Sequence, residues 1–255
     1  MSARTLRDYA RDLAPILARI ARRVDFESTP DFAEIVRAHP SLVIVMTHGS
    51  PLGWLPAIST LMIEGARNGG ADRVPLGVIH KLFYVIPPLR PVARYVTQSD
   101  RHLGFDDLLA RLSSGAHHDL ALFPEGQNCF FGSAAEVRPF PSARFVEIAV
   151  RSRVPLLVVA HKGSEGWALR LPESPLIERV SGLISPAIPR SIQGIGALNL
   201  PLLPSPMERF AMRCELYHPR LGAEDLLENP AETQRRLRDE AERVRARMKA
   251  LLANL

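Results

Sequence analysis

The chain has 255 residues, 46% of them hydrophobic and 23% charged. That is the balance of a folded domain long enough to bury a core, and it excludes a disordered segment. The net charge is +5, and of the 32 basic residues only Lys81, Lys162 and Lys249 are lysine; the remaining arginines suit the phosphate oxygens of lipid headgroups, coenzymes or nucleic acid. Cys129 and Cys214 lie far apart and form no Cys-x-x-Cys pair, so neither a disulfide framework nor a zinc site is indicated, which fits a reducing compartment.

Residues 3–23 have the spacing of a basic amphipathic helix. Leu6, Tyr9, Leu13, Ile16, Leu17 and Ile20 form its apolar stripe, and six arginines (Arg4, Arg7, Arg11, Arg19, Arg22, Arg23) outnumber Asp8 and Asp12. Pro15 is expected to kink it or to start a second helix. Two uses of this helix remain open: an anchor on anionic lipid, or a helix packed on the domain core. Residues 1–30 are taken as this N-terminal unit and 31–255 as one further domain.

From residue 41 onward, short apolar runs alternate with helical patterns. Strands are expected at 41–46, 74–79, 119–123 and 154–160. Helices are expected from the loop at 47–51 to about Arg67, at 105–112 and at 143–152. A late strand follows at 209–219. The last helix starts at Asn229-Pro230 and buries Leu237, Ala241, Val244, Met248, Leu251 and Leu252. This alternation predicts an α/β fold with a mostly parallel central sheet flanked by helices. Residues 182–207 break the rhythm with five prolines in an apolar stretch whose only charge is Arg190. They are read either as a crossover on the core or as a lid that dips into lipid. No segment reaches the roughly 20 apolar residues needed to span a bilayer, and the N-terminus lacks a signal-peptide layout. A peripheral protein on the cytoplasmic side of a membrane is therefore expected.

In α/β proteins, sites gather at strand ends. Three of the expected strands run into Thr47-His48-Gly49-Ser50-Pro51, into Phe123-Pro124-Glu125-Gly126-Gln127 and into Ala160-His161-Lys162. A histidine is the side chain suited to remove a proton from an alcohol near neutral pH. His48 can equally serve as a helix cap or a partner of a backbone carbonyl.

The order of these motifs resembles the lysophospholipid and glycerol-3-phosphate acyltransferase superfamily. His48-Gly-Ser-Pro-Leu-Gly53 resembles its H-x4-D box, and Phe123-Pro-Glu-Gly126 resembles its F-P-E-G-T-R box. The segment from Val96 to Arg101 and the strand Val154-Pro-Leu-Leu-Val-Val-Ala160 resemble two more of its blocks. The resemblance implies transfer of a fatty acyl group from acyl-CoA or acyl carrier protein to a lipid hydroxyl. His48 would be the general base, with no further cofactor, no metal and no covalent acyl-enzyme. Ser50, Glu125, Gly126 and Gln127 would shape the acceptor site, and Arg101 would meet an acceptor phosphate.

Two positions depart from the pattern. Gly53 stands where the family has its aspartate, so something else must orient His48: Asp100, Asp119, Glu125 or a backbone carbonyl. Gln127 and Asn128 stand where the family has threonine and arginine. Arg138 and Arg144 either supply the missing charge or are surface arginines; alternatively the acceptor carries no phosphate. Gly53 also leaves room for a relative that binds lipid or acyl-CoA without turnover, and water in place of the alcohol would make a thioesterase.

Weaker constellations are His117-His118-Asp119 as metal ligands, Cys129 as a nucleophile, and Lys81, Arg90 and Arg94 as a coenzyme or headgroup path. The last three residues can equally be simply solvated. There is no G-x-S-x-G elbow, Walker loop or G-x-G-x-x-G. With 6% aromatic residues, the chain lacks the stacking platforms of single-strand nucleic-acid binders, and nucleic acid is not an expected partner. Oligomeric state is not legible.

Overall fold

The computed structural model describes residues 3–171, 198–202, 204–226 and 229–255. Helix α1 (Leu6–Ile20) is followed by β1 (Val24–Thr29), α2 (Phe32–Ala38), β2 (Leu42–Met46), α3 (Trp54–Gly65) and β3 (Pro75–Gly77). Two short helices, α4 (Leu82–Val85) and α5 (Arg90–Thr97), precede α6 (Phe105–Ser113), β4 (Asp119–Leu122), α7 (Arg144–Ser152) and β5 (Leu156–Lys162). The strands β6 (Ala168–Leu171) and β7 (Leu198–Pro201) form a separate ribbon, and β8 (Phe210–Tyr217) and α8 (Pro230–Ala253) complete the described chain.

Six strands form the central sheet in the order β1-β8-β5-β2-β4-β3. The strands β5, β2, β4 and β3 are mutually parallel. Strand β8 runs antiparallel to β5 and carries β1 parallel to itself. The α/β architecture with a mostly parallel sheet is therefore as expected. Strand β2, at the centre, is apolar and buried at every position because helices cover both faces. Val43 and Val45 of β2 face a core built with α6, α7 and α8, while Leu42, Ile44 and Met46 face one built with α2 and α3.

Helix α1 lies against α3. Leu6, Tyr9, Leu13, Leu17 and Ile20 are all buried, and the arginine-rich side faces outward. Of the two uses left open for this helix, the structure has it packed on the core. Its apolar stripe is already covered, and Ile16 alone of the six expected stripe residues is exposed. Pro15 sits inside a continuous helix. Its ring is on the exposed side, and no second helix starts there. Residues 24–29, grouped by sequence with the N-terminal helix, form the edge strand β1; their polar alternation hides a strand that is covered only partly. Most of the apolar stretch at 182–207 lies outside the described residues, and its portion Leu198–Pro201 is β7.

At the N-terminal edge of the parallel strands, Asp119 is buried and clasped by Arg73. The Arg73 Nε donates to Asp119 Oδ2 at 2.8 Å and Nη2 bonds Oδ1, while Nη1 donates to the carbonyls of His39 at 2.8 Å and Val36 at 3.3 Å. This ties α2, the start of β3 and the start of β4 together. Removing one partner strands a buried charge, a loss of about 3–5 kcal/mol. Asp119→Ala is expected to lower unfolding stability by that amount in a urea titration. A variant as stable as the parent would show that Arg73 finds water instead.

Candidate functional site

The parallel strands set the height of their C-terminal residues. Val45 pairs with Leu122, and Met46 pairs with Val159. His48 and Glu125 each lie three residues beyond a paired position, so they emerge side by side at one sheet edge. His161, the next-to-last residue of β5, comes up on the other side of His48.

The Glu125 side chain is fully buried. Its Oε1 accepts the backbone N–H of His48 at 2.8 Å. Its Oε2 accepts the backbone N–H of Arg138 at 3.2 Å and Arg138 Nη1 at 3.1 Å. Arg138 is buried as well; its Nη1 also donates to the Gly49 carbonyl at 3.0 Å and its Nε to the Phe131 carbonyl at 2.5 Å. The Arg138 Nη2 is buried without a hydrogen-bond partner among the described residues. Asn128 is also buried, and its side chain donates to the Pro139 carbonyl at 2.8 Å, fixing the segment that brings in Arg138. The residue standing where the family has an arginine thus positions another arginine ten places on.

The His48 ring is half-buried beside Phe123, with ring centroids 4.9 Å apart. Its Nδ1 lies 3.0 Å from the Ser50 carbonyl oxygen. A carbonyl only accepts, so Nδ1 carries the proton in the neutral ring and Nε2 is left with a free lone pair. Burial among packed atoms pulls the His48 pKa below its ordinary value of 6.5. The Ser50 bond and the negative charge of Glu125 oppose that shift, and Arg138 adds to it.

Among the proposed orienting groups, the backbone carbonyl is the one in place. Asp119 is held by Arg73 at the opposite edge of the sheet, Asp100 is on the surface paired with Arg94, and Glu125 binds the His48 backbone. Gly53 is closed to any side chain. A Cβ there would stand 2.3 Å from the His48 carbonyl oxygen, 2.7 Å from Ser164 Oγ and 3.1 Å from the Ser50 carbonyl oxygen. The loop is too tight for an aspartate, and it supplies a carbonyl instead. Gly49, at φ +64°, makes the left-handed turn that directs the chain from His48 to Ser50.

The structure therefore brings together His48, Ser50, Glu125 and Arg138. The Ser50 side chain is buried, and its Oγ has no hydrogen-bond partner among the described residues. Gly126 and Gln127 follow Glu125 in an exposed turn. Arg144 is exposed at the start of α7. Arg101 lies on the surface with its guanidinium forked onto Asp107 at 2.8 and 2.7 Å. Lys81 and Arg90 are exposed too, with Arg90 Nε on the Tyr84 carbonyl at 2.7 Å. Cys129 is a buried thiol whose pKa is pushed up to about 12 by burial and by the Glu125 charge, so it is no thiolate at neutral pH. His118 accepts the Val74 N–H through Nδ1 at the far edge of the sheet. His161, outside the residues assigned to the site from sequence, proves to be its neighbour. The register between β2 and β5 is the signal that places it there.

The fold has a counterpart among solved structures. The chain is similar to the crystal structure of the 1-acyl-sn-glycerophosphate (LPA) acyltransferase, PlsC, from Thermotoga maritima, with a TM-score of 0.51 and 14% sequence identity, over 96% of this chain and 80% of that one. The chain has the PlsC fold. No protein-family model and no curated protein matches the sequence, so the likeness is one of architecture. Among the described residues, no helix is long and apolar enough to cross a membrane.

The packing around Gly53 makes a counter-intuitive prediction. Gly53→Asp, which rebuilds the family's H-x4-D pattern on paper, is expected to destabilise the protein by about 1–3 kcal/mol through overpacking. Chemical denaturation measures this, and an unchanged midpoint would mean that the loop yields to admit the side chain.

Proposed function

We propose that this protein is an O-acyltransferase that moves a fatty acyl group from acyl-CoA or acyl carrier protein to a lipid hydroxyl. The observation that carries the reading is the His48 imidazole: it is oriented through Nδ1 by the Ser50 carbonyl, at the sheet edge where Glu125 and Arg138 brace its backbone. The PlsC fold and the order of the sequence motifs support the same chemistry.

In this mechanism the acceptor hydroxyl donates its proton to His48 Nε2 as its oxygen attacks the thioester carbonyl. Backbone N–H groups of the surrounding loops meet the oxyanion of the tetrahedral intermediate. Collapse breaks the carbon–sulfur bond, and the proton on Nε2 goes to the leaving thiolate. Ester and thiol result, and the histidine is returned neutral. Neutralising the aspartate of a serine-protease triad costs about 10⁴-fold because the histidine then presents the wrong tautomer. Here the Ser50 carbonyl enforces the right one. A carbonyl steadies the imidazolium less than a carboxylate does, so the proposed enzyme works without that part of the stabilisation.

The acceptor is proposed to be a lysophospholipid-type alcohol, met as a peripheral protein at the cytoplasmic membrane face. The apolar surface beside the site supports this. Phe130, Leu169, Leu200 and Leu202 are exposed. Phe131 bridges to Leu198 of β7, and the Asn199 side chain donates to the Gly132 carbonyl at 2.9 Å. The ribbon with its leucines therefore adjoins the loop that follows Glu125.

The test is acyl transfer in detergent micelles, offering radiolabelled long-chain acyl-CoA with a panel of lysolipids and other lipid alcohols. A labelled ester is expected, and His48→Ala is expected to lower its rate by about 10²–10⁴-fold. Labelled free fatty acid alone would make the protein a thioesterase, and an ester formed equally by the variant would remove His48 from the chemistry.

The rate should also carry the mark of the buried histidine. His48 acts when neutral, and its pKa is lowered. Activity should therefore persist as pH falls through the ordinary histidine range near 6.5 and decline only below it. A pH–rate profile whose acid limb lies at or above 6.5 would contradict the assignment.

A further inference from the structure

We propose that His161 is a positioning residue: it grips the residue before His48 and backs the residue after it, and so fixes where the His48 imidazole stands. The kinetic consequence rests on the acyl-transfer reading; the structural one rests on geometry alone.

His161 is buried, at 2% exposure. Its backbone N–H donates to Thr47 Oγ1 at 3.1 Å, and its ring Nε2 lies 2.7 Å from the Thr47 carbonyl oxygen. One residue thus holds both the side chain and the main chain of Thr47, which itself donates its N–H to the Val159 carbonyl at 3.0 Å. On the other side of His48, Gly49 rides directly over the same ring. A Cβ on Gly49 would stand 3.0 Å from His161 Cε1. Phe210 of β8 supports the imidazole from beside, with ring centroids 5.3 Å apart. The two neighbours of His48 are therefore both registered against one rigid, aromatic-backed ring.

The choice of histidine has a physical reason. The Thr47 carbonyl only accepts, so Nε2 bears the ring proton and Nδ1 is bare. The Nδ1 is buried with no hydrogen-bond partner among the described residues. Burial pushes the pKa of His161 down to about 4, and the ring donates while remaining neutral. Lysine or arginine would also donate, but each would place a positive charge beside His48 and oppose its protonation in the transition state. Leucine would leave the Thr47 carbonyl unpaired in the core.

The experiment compares His161→Gln with His161→Asn. The glutamine amide N–H takes the place of Nε2, and the asparagine amide N–H takes the place of Nδ1. Both variants are polar and neutral, so they differ in which ring nitrogen the amide replaces and not in charge, and the His48 tautomer, rather than stability, separates a positioning role from a structural one. The readout is the ring tautomer of His48 by multiple-bond ¹H–¹⁵N NMR on histidine-labelled protein, with kcat and KM alongside. In the parent, the Nδ1–H tautomer is expected at His48 and the Nε2–H tautomer at His161.

His161→Gln is expected to keep the His48 tautomer and to hold kcat within about threefold. His161→Asn is expected to give mixed His48 tautomers and a kcat lower by about 100-fold, the scale of a misplaced reacting group, with KM for the acyl donor nearly unchanged. Gly49→Ala, which drives a Cβ toward the same ring, is a second perturbation and should disturb the His48 tautomer likewise. Identical His48 spectra in all three variants and the parent would overturn the proposal, whatever the melting temperatures. If the parent shows no His48-dependent transfer, the acyl-transfer reading fails, and the tautomer comparison still decides the role of His161.

Discussion

The site depends on one buried carboxylate. Glu125 lies at the end of β4, shielded from solvent, and a carboxylate there is tolerated only because Arg138 and two backbone N–H groups surround it. Those partners come from two segments. The His48 N–H belongs to the loop after β2, and the Arg138 donors belong to the segment leading toward α7. Arg138 then reaches across to the Gly49 carbonyl and closes the circuit around His48. The ion pair joins two loops that the sheet alone would leave independent. Its net energy matters less than the fact that neither charge can leave without stranding the other.

With its backbone fixed in this way, His48 needs little else to present a single reactive nitrogen. The Ser50 carbonyl lies two residues on and needs no side chain to place it. The cost is electrostatic: a neutral oxygen takes the position that a negative one fills in the pattern the sequence resembles. The same substitution explains the crowding at Gly53. A loop that folds back tightly enough to bring the Ser50 carbonyl to the ring brings the His48 carbonyl against position 53 as well. The orienting carbonyl and the glycine are two results of one loop path.

The strands β2, β3, β4 and β5 were legible in the sequence as short apolar runs, because helices bury both sides of the sheet there, and β8 as a run in which only Arg213 and Glu215 interrupt the apolar residues. The edge strand β1 was not, since Asp25, Glu27 and Ser28 alternate with residues that are only partly covered. The stripe of α1 could be read, but its partner could not; periodicity marks an apolar face without saying what covers it. His48 and Glu125 were found from their places after strands. The group that orients His48 was not identifiable, because a main-chain carbonyl has no letter in the sequence. Arg101 looked like a phosphate contact from its motif, and its geometry engages Asp107 instead. Gly53 read as a loss, whereas the structure has it as a point of close approach between backbones.

The reversed pair at the edge of the sheet sets an order of assembly. Glu27 of β1 and Arg213 of β8 are ion-paired across 186 residues of chain, and among the described residues β1 has no strand neighbour other than β8. During synthesis, the parallel strands that carry the candidate site can pair among themselves as soon as β5 emerges. The strand β1 has left the ribosome long before, and it waits for β8 before it can pair. Closure of so long a loop is slow. Helix α1 can settle on α3 without waiting, so the strand β1 alone is held back, and the site is shaped before that strand is fastened to the sheet.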